Sequence, residues 1–382
     1  ELQSALHHRR QERPEAQAAA KALLQKFEKH SKAPAMRYAL GVAQARAGDA
    51  TAARETLGKL LQDGGYERLD RVAYELAWAC RRANDEPGAQ KAFAVVARDS
   101  KDVELAGEAN LHLGVFALES ASQETKGKVD LRKARELLTK VQGSHRGRAL
   151  YRLAFAEFEV AGDDPKLLAV ARDRCAELAA IEADPLSLEG LYLGGECCQR
   201  LGDAGGAVAK YQALLGKDGK HARADRARLG LGECAVLQGD GNTAVPVLEE
   251  FLRGKDREKV DAARAHLFLG RARLLRGEAQ PAEASLQRVT ELSDGALAAE
   301  AQFRIGEARA QRGDLQGAAD AFVKLPILYS QAEWVRRGLL QAGLVYEQLK
   351  QPEKAQRFFE ELQKLHAGSD EAKTAKQHLR QG

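Results

Sequence analysis

His7 and His8 stand beside Arg9 and Arg10 in HHRRQERPE, and a histidine pair is the first place to look for a metal ligand or a general base. Two histidines that ligate from one helix face sit four apart, not adjacent. The pair therefore reads as part of a solvent-exposed helix. Five cysteines, Cys80, Cys175, Cys197, Cys198 and Cys234, form no C-x-x-C pair and have no nearby H-x(3–5)-H partner, so zinc is not expected. Their odd count and wide scatter suit buried, reduced thiols that pack as small hydrophobes. The glycine-rich pieces LYLGGECC and GLGECAVLQGDG match neither the Walker A spacing nor a dinucleotide fingerprint. Acid pairs such as Asp163-Asp164 and Glu249-Glu250 belong at helix ends and on wet faces. In KHARADRARLG, Lys220 to Gly230, the densest basic run, the charges spread around a helix instead of forming one stripe. No reaction centre emerges, and neither a cofactor, a metal nor an enzymatic activity is expected.

The chain of 382 residues is long enough for two or three compact domains, and its 44% hydrophobic content can bury a sizeable core. Charged residues make up 30%, yet the net charge is only +4, which describes a solvated helical surface better than a nucleic-acid footprint. No apolar run approaches the roughly 18 to 20 residues that span a bilayer, so direct membrane insertion is not expected. The chain begins at Glu1 and not at methionine, which leaves a preceding segment open and makes the lack of a targeting signal uninformative.

The elements that would carry any function show themselves as a repeat. In QFRIGEARAQRGDLQGAADAF the order is Ile305-Gly306, Gly313-Asp314, Ala318 and Phe322. The same offsets recur at Leu40-Gly41, Gly48-Asp49, Ala53 and Leu57, at Leu231-Gly232, Gly239-Asp240, Ala244 and Leu248, and at Leu269-Gly270, Gly277-Glu278, Ala282 and Leu286. Gly195, Gly202-Asp203, Ala207 and Tyr211 make another copy, and weaker ones run through Ala77 with Asn84-Asp85 and Phe93, and through Gly343 with Ala355 and Phe359. Copies around Gly114 and Ala154 are interrupted, with ESASQETKGKVD and AGDDPKLL expected to lengthen the links between helices. Steps of 36 to 41 residues separate successive copies. Each step holds two stretches with apolar residues three and four apart, hence one helical hairpin. Glycine ends the first helix in the left-handed conformation, and the following acid accepts from the N–H groups that open the second. Small residues at the Gly306 and Ala318 positions let the paired helices approach closely.

This order of Leu-Gly, a glycine seven residues on, alanine, then an aromatic residue or leucine resembles the tetratricopeptide repeat (TPR) family over nearly the whole chain. The resemblance implies an all-α, right-handed α-solenoid of TPR-like helical hairpins: a partial repeat over 1–32, about nine repeats over 33–366 and a capping helix over 367–382, with Glu371 to Arg380 helical in pattern. No copy has the family's early tryptophan, most repeat ends lack proline and the steps exceed the usual ~34 residues, which leaves a Sel1-like or irregular solenoid open. The C-terminal part is similar to bacterial cell-envelope TPR proteins of the Tol–Pal-associated or outer-membrane assembly type, with LYSQAEW and LHAGSDEAK echoing their inter-repeat turn.

In such proteins the first helix of each hairpin lines a concave face. In that register Tyr38, Tyr74 and Tyr192 are equivalent; Trp78, Arg81 and Arg82 share a face with Tyr74, Arg71 belongs with them, and Tyr151, Phe155 and Phe158 repeat the arrangement. Rigid amphipathic side chains serve a peptide-binding surface or the seam between hairpins equally well. The residue after the Gly306 position reads Val42, Trp78, Val115, Phe155, then Glu196, Glu233, Arg271, Glu307 and Leu344, apolar giving way to charged, with Glu189, Arg226, Arg264 and Glu300 also inward and Arg200 in the same stretch. None of these is asparagine at the position where chaperone-adaptor TPR modules hold a C-terminal carboxylate, so that role is not expected. The resemblance implies a non-catalytic scaffold or adaptor for a protein or peptide segment, in a bacterial envelope assembly. A regulatory or targeting region of a larger enzyme, and an assembly subunit using its convex face, stay open as alternatives. So do the oligomeric state and the compartment, where the envelope resemblance and the unpaired cysteines point opposite ways and the periplasm is given more weight.

Overall fold

A computed structural model describes residues 13–123, 130–255 and 257–380. His7, His8 and the first part of the partial repeat lie outside the described residues. Among those described there are helices and turns but no strand. Contacts divide the chain into two units, residues 1–190 and 191–382.

The first unit contains α1 (Arg13–Lys26), α2 (Ala33–Arg46), α3 (Ala50–Asp63), α4 (Leu69–Arg82), α5 (Glu86–Asp99), α6 (Val103–Gln123), α7 (Arg132–Leu138), a short 3-10 turn over Gly143–His145, α8 (Arg146–Ala161) and α9 (Pro165–Ala179). The second has α10 (Ser187–Arg200, which begins just before the division), α11 (Ala204–Lys217), α12 (Ala224–Leu237), α13 (Gly241–Arg253), α14 (Lys259–Leu275), α15 (Ala279–Leu292), α16 (Gly295–Gln311), α17 (Leu315–Leu328), α18 (Ala332–Gln348), α19 (Pro352–His366) and α20 (Asp370–His378). Within each unit a helix packs on the one that follows it, the arrangement of stacked hairpins.

The repeat offsets have a steric cause. A Cβ placed at Gly41, Gly195 or Gly270 would stand 2.5 Å from Leu57, Tyr211 or Leu286, the residue sixteen positions later on the partner helix. The alanine four residues before that partner, Ala53, Ala207 or Ala282, is fully buried. Glycine and alanine are thus what lets a bulky ring or leucine from the second helix lie across the first. Burial of these side chains is the main favourable term, about 1.5–3 kcal/mol for each large apolar residue.

Chain reversal works as the sequence implies at most steps. Gly48, Gly202, Gly239 and Gly313 have φ between 74° and 88°. Asp49, Asp203, Asp240 and Asp314 then accept from the backbone N–H of Ala52, Gly206, Thr243 and Gly317. Asn84 and Lys350 hold the glycine's place with positive φ. Glu278 departs from the expectation: it makes no cap hydrogen bond, and its carboxylate pairs with Arg276 at 2.7 Å instead. AGDDPKLL does not lengthen the link as expected. Gly162 turns the chain, Asp164 caps Lys166 and Leu167, and α9 starts at Pro165. The link between α6 and α7 is long, with residues 124–129 of it outside the described residues. At the far end α20 lays Ala372 and Ala375, both fully buried, against the last hairpin, and Arg336 of α18 pairs with Glu371 at 3.3 Å.

Candidate partner-binding site

Three successive first helices of the second unit, α10, α12 and α14, put their equivalent faces side by side and leave a cleft of about 380 Å³ open to solvent. Its walls include Tyr192 and Leu229, its floor Gly230 and Glu233, and its charged lining Glu196, Arg200, Arg226, Glu258, Asp261 and Arg264. Below Gly230 lies the fully buried ring of Tyr211, which reaches across from α11. Its hydroxyl donates to Glu196 at 2.7 Å and stands 3.0 Å from Gln199 Oε1. Gln199 Nε2 donates in turn to Glu233 Oε2 at 3.1 Å.

Glu233 is the electrostatic centre of this arrangement. Its side chain is 5% exposed, and Arg264 Nη2 lies 2.8 Å from each carboxylate oxygen. The guanidinium donates to Oε2, while Oε1 has no hydrogen bond. Burial pushes the Glu233 carboxyl above the usual range, with Arg264 and Gln199 opposing and nearby Glu196 adding to the rise. Burial also pushes the Tyr192 hydroxyl up to about 12, with Glu196 adding and Arg226 opposing, and Arg223 lies over the ring at 5.3 Å.

In the first unit Tyr74, Trp78 and Arg81 come together on α4 as the spacing predicts, and they meet α6. Tyr74 donates to Glu108 at 2.8 Å, and burial with this carboxylate pushes its hydroxyl up to about 12. Trp78 meets Tyr74 edge-on at 6.3 Å, Phe93 at 5.9 Å and His112 at 4.9 Å. Arg81 lies 5.8 Å over the Trp78 ring and 3.2 Å from His112 Nδ1. Arg71 faces Asp102 at 3.6 Å, Arg82 reaches the Ala45 carbonyl, and Tyr38 stacks on Tyr66 at 5.0 Å. On α8, Tyr151 and Phe155 form their own pair at 6.2 Å, with Phe155 46% exposed, whereas Phe158 is buried on the helix's inner face.

Sequence reasoning brought Tyr192, Glu196, Arg226, Glu233 and Arg264 to one register, and the structure brings them to one cleft. It missed Gln199, Glu258 and Asp261 there, and His112, Glu108 and Tyr66 in the first unit. In the second unit Phe303, buried in the core, and Trp334, centroids 5.5 Å apart, are flanked by Arg304 and by Arg337, the latter 4.8 Å over both rings. Trp334 sits at no repeated offset, which is why a repeat-based reading passed over it. The thiols are all buried, and burial pushes that of Cys234 up to about 12, far from a nucleophile's range.

Stacked hairpins, glycine turns and small contact residues define a helical-hairpin repeat protein. A tetratricopeptide repeat model matches residues 3–67, 199–256 and 282–333, and a second model of the same repeat matches 337–369, together more than half of the chain. The chain belongs to the tetratricopeptide repeat family. No curated protein sequence matches it. Among solved structures it is similar to the C-terminal part of a TPR repeat-containing protein from Cytophaga hutchinsonii, with 17% identity, TM-score 0.48, and 69% of this chain and 98% of that one covered. It is also similar to YrrB, described as a TPR protein with an unusual peptide-binding site, at 22% identity and TM-score 0.40, covering 52% of this chain and 96% of that one. MamA from Desulfovibrio magneticus RS-1 has 21% identity and TM-score 0.39, covering 47% of this chain and 94% of that one.

Proposed function

We propose that the chain is a non-catalytic interaction scaffold that seats an extended segment of a protein partner on the first-helix faces of its hairpins, with the cleft over Glu233 as the main anchor. One observation carries the reading: three successive repeats each contribute side chains to a single preformed, solvent-open cleft. A preformed cleft saves the ordering cost that otherwise subtracts from affinity. Its tyrosine, arginines and fixed hydrogen-bond acceptors are the groups that peptide recognition uses. The Trp78, Tyr74 and Arg81 face of the first unit, with Tyr38, Tyr151 and Phe155, is proposed as a second contact.

Nucleic acid fits less well. In the basic run, Arg228 is taken up by Asp225 and Glu250, both at 3.1 Å, and Arg223 lies over Tyr192. The setting we propose, a bacterial envelope assembly, rests on the resemblance of the C-terminal turns alone.

Selection of random linear peptides on the 382-residue chain tests the reading. Gln199→Trp, which fills the cleft from a half-buried position, is expected to weaken the selected peptides at least tenfold while helical content is kept. Peptides that bind Gln199→Trp as well as the parent chain would show that the cleft is not the anchor.

A further inference from the structure

We infer that the cleft over Glu233 receives a basic side chain, lysine or arginine, from the bound segment; this rests on the interaction reading above and names the chemistry of its anchor.

Four carboxylates, Glu196, Glu233, Glu258 and Asp261, line the cleft. They come from α10, α12, the residue that precedes α14 and the first turn of α14, so no single stretch of sequence assembles them. Among the described residues Glu233 alone of the four has an ion-pair partner, Arg264. Arg264 Nη2 stands 2.8 Å from both oxygens of that carboxylate, whose side chain is 95% buried, so this guanidinium is already committed to Glu233. Glu196, Glu258 and Asp261 are the carboxylates left for an incoming ammonium or guanidinium.

The acceptors are also held in place before any ligand arrives. Tyr211, clamped in the core, donates to Glu196, and Gln199 donates to Glu233, so the two carboxylates are tied to one hydrogen-bonded frame. Glu196 adds to the cost of the Glu233 charge, and a cation between them relieves it. Arg200 and Arg226 lie exposed at the rim, and Arg226 is engaged by Tyr192. A lysine or arginine stem can lie along Tyr192 and Leu229 while its charged head reaches the floor. The net charge of the chain is +4, so the overall field favours an anionic ligand, and a preference for a cationic one has to come from a local site.

The probes are labelled deca-lysine and deca-glutamate, titrated into the 382-residue chain and followed by fluorescence anisotropy. Deca-lysine is expected to bind at least tenfold more tightly than deca-glutamate. Glu196→Gln, Glu233→Gln and Asp261→Asn are each expected to weaken it about threefold to tenfold, with Glu353→Gln, on an exposed stretch of α19, leaving it unchanged. Asp261→Asn guards against a folding artefact, since Asp261 is half-exposed and makes no ion pair among the described residues. Deca-glutamate binding as tightly, or deca-lysine binding that none of the three cleft substitutions moves, overturns the inference. Peptides selected on the chain that are lost in Gln199→Trp but show no enrichment in lysine or arginine also overturn it, while leaving the interaction reading standing.

Discussion

The ring of Tyr211 rests against the backbone of Gly195, its Cε1 2.5 Å from where a Cβ would stand, and its hydroxyl goes on to Glu196 at 2.7 Å. One contact thus serves both the stacking of α10 on α11 and the positioning of a cleft carboxylate. Gly195→Ala must push the ring away, and a loss of about 1–3 kcal/mol is expected in chemical denaturation. Gly216→Ala, in the same hairpin but with open space around it, should gain about 0.5–1 kcal/mol. Equal effects at the two sites would mean that helix propensity, not contact, governs these glycines.

Glu157 is buried between two guanidiniums, Arg135 at 2.8 Å and Arg174 at 2.6 Å. Removing one partner of a buried pair typically costs about 3–5 kcal/mol, because the charge left behind stays desolvated. Glu157→Gln is expected near the lower end, since Arg135 is 36% exposed. A change below about 1 kcal/mol in the denaturation midpoint analysis would class the triad with ordinary surface pairs.

Helix caps separate by chemistry. Asp240→Ala removes the acceptor for Thr243 N–H at 3.0 Å and should cost about 1 kcal/mol. At the equivalent position Glu278→Ala removes only a pair with Arg276 that is about one-third exposed on each side, and a change within about 0.5 kcal/mol is expected. Thermal unfolding of the two variants side by side distinguishes them.

His112 makes stability depend on pH. Burial, then Arg81, lowers its pKa below 6.5. It faces Arg81 at 3.2 Å and Glu108 at 3.8 Å and stacks on Phe93 at 4.9 Å, with His145 and Arg148 also near. His266 is lowered too, by burial first and then by Arg288 and Arg273. As pH falls through 6.5 the unfolded chain takes up protons that the folded one refuses, so the stability from these groups, complete above 6.5, is lost toward their folded pKa values. The melting temperature should drop between pH 7 and pH 5.5, and His112→Gln should flatten that slope. An unchanged slope would show that His112 is protonated as readily in the fold as outside it.

Trp78 and Tyr151 separate groove from core. Trp78, half-buried, packs on Phe93 and His112, so Trp78→Ala is expected to cost about 3 kcal/mol, the low end for a large aromatic, as well as any binding. Tyr151, half-buried and paired with Phe155, should cost less than 1 kcal/mol on truncation while weakening a bound segment. Denaturation and peptide binding measured on the same two variants check both statements.

The repeat was legible because its constraint is local and recurs: one glycine, one alanine and one large side chain at fixed offsets express the close approach of two helices, and seven or more copies reinforce one another. Register likewise sent Glu196, Glu233 and Arg264 inward. What it could not supply lies off the repeat. Glu258 precedes α14 in a link of irregular length, Gln199 matters through what Tyr211 and Glu233 do around it, and Phe158 shares the spacing of Tyr151 and Phe155 but turns to the buried side. Spacing orders residues along one helix, while the lining of a cleft is decided by which helix lies next to it.

Cys80 and Cys175 in the first unit, and Cys197, Cys198 and Cys234 in the second, are sealed from solvent and carry no disulfide. An alkylating reagent can reach them only when the surrounding hairpins open. The chain therefore has its own built-in reporters: the order in which these sulfurs become labelled during slow denaturation reads out, hairpin by hairpin, where the stack comes apart.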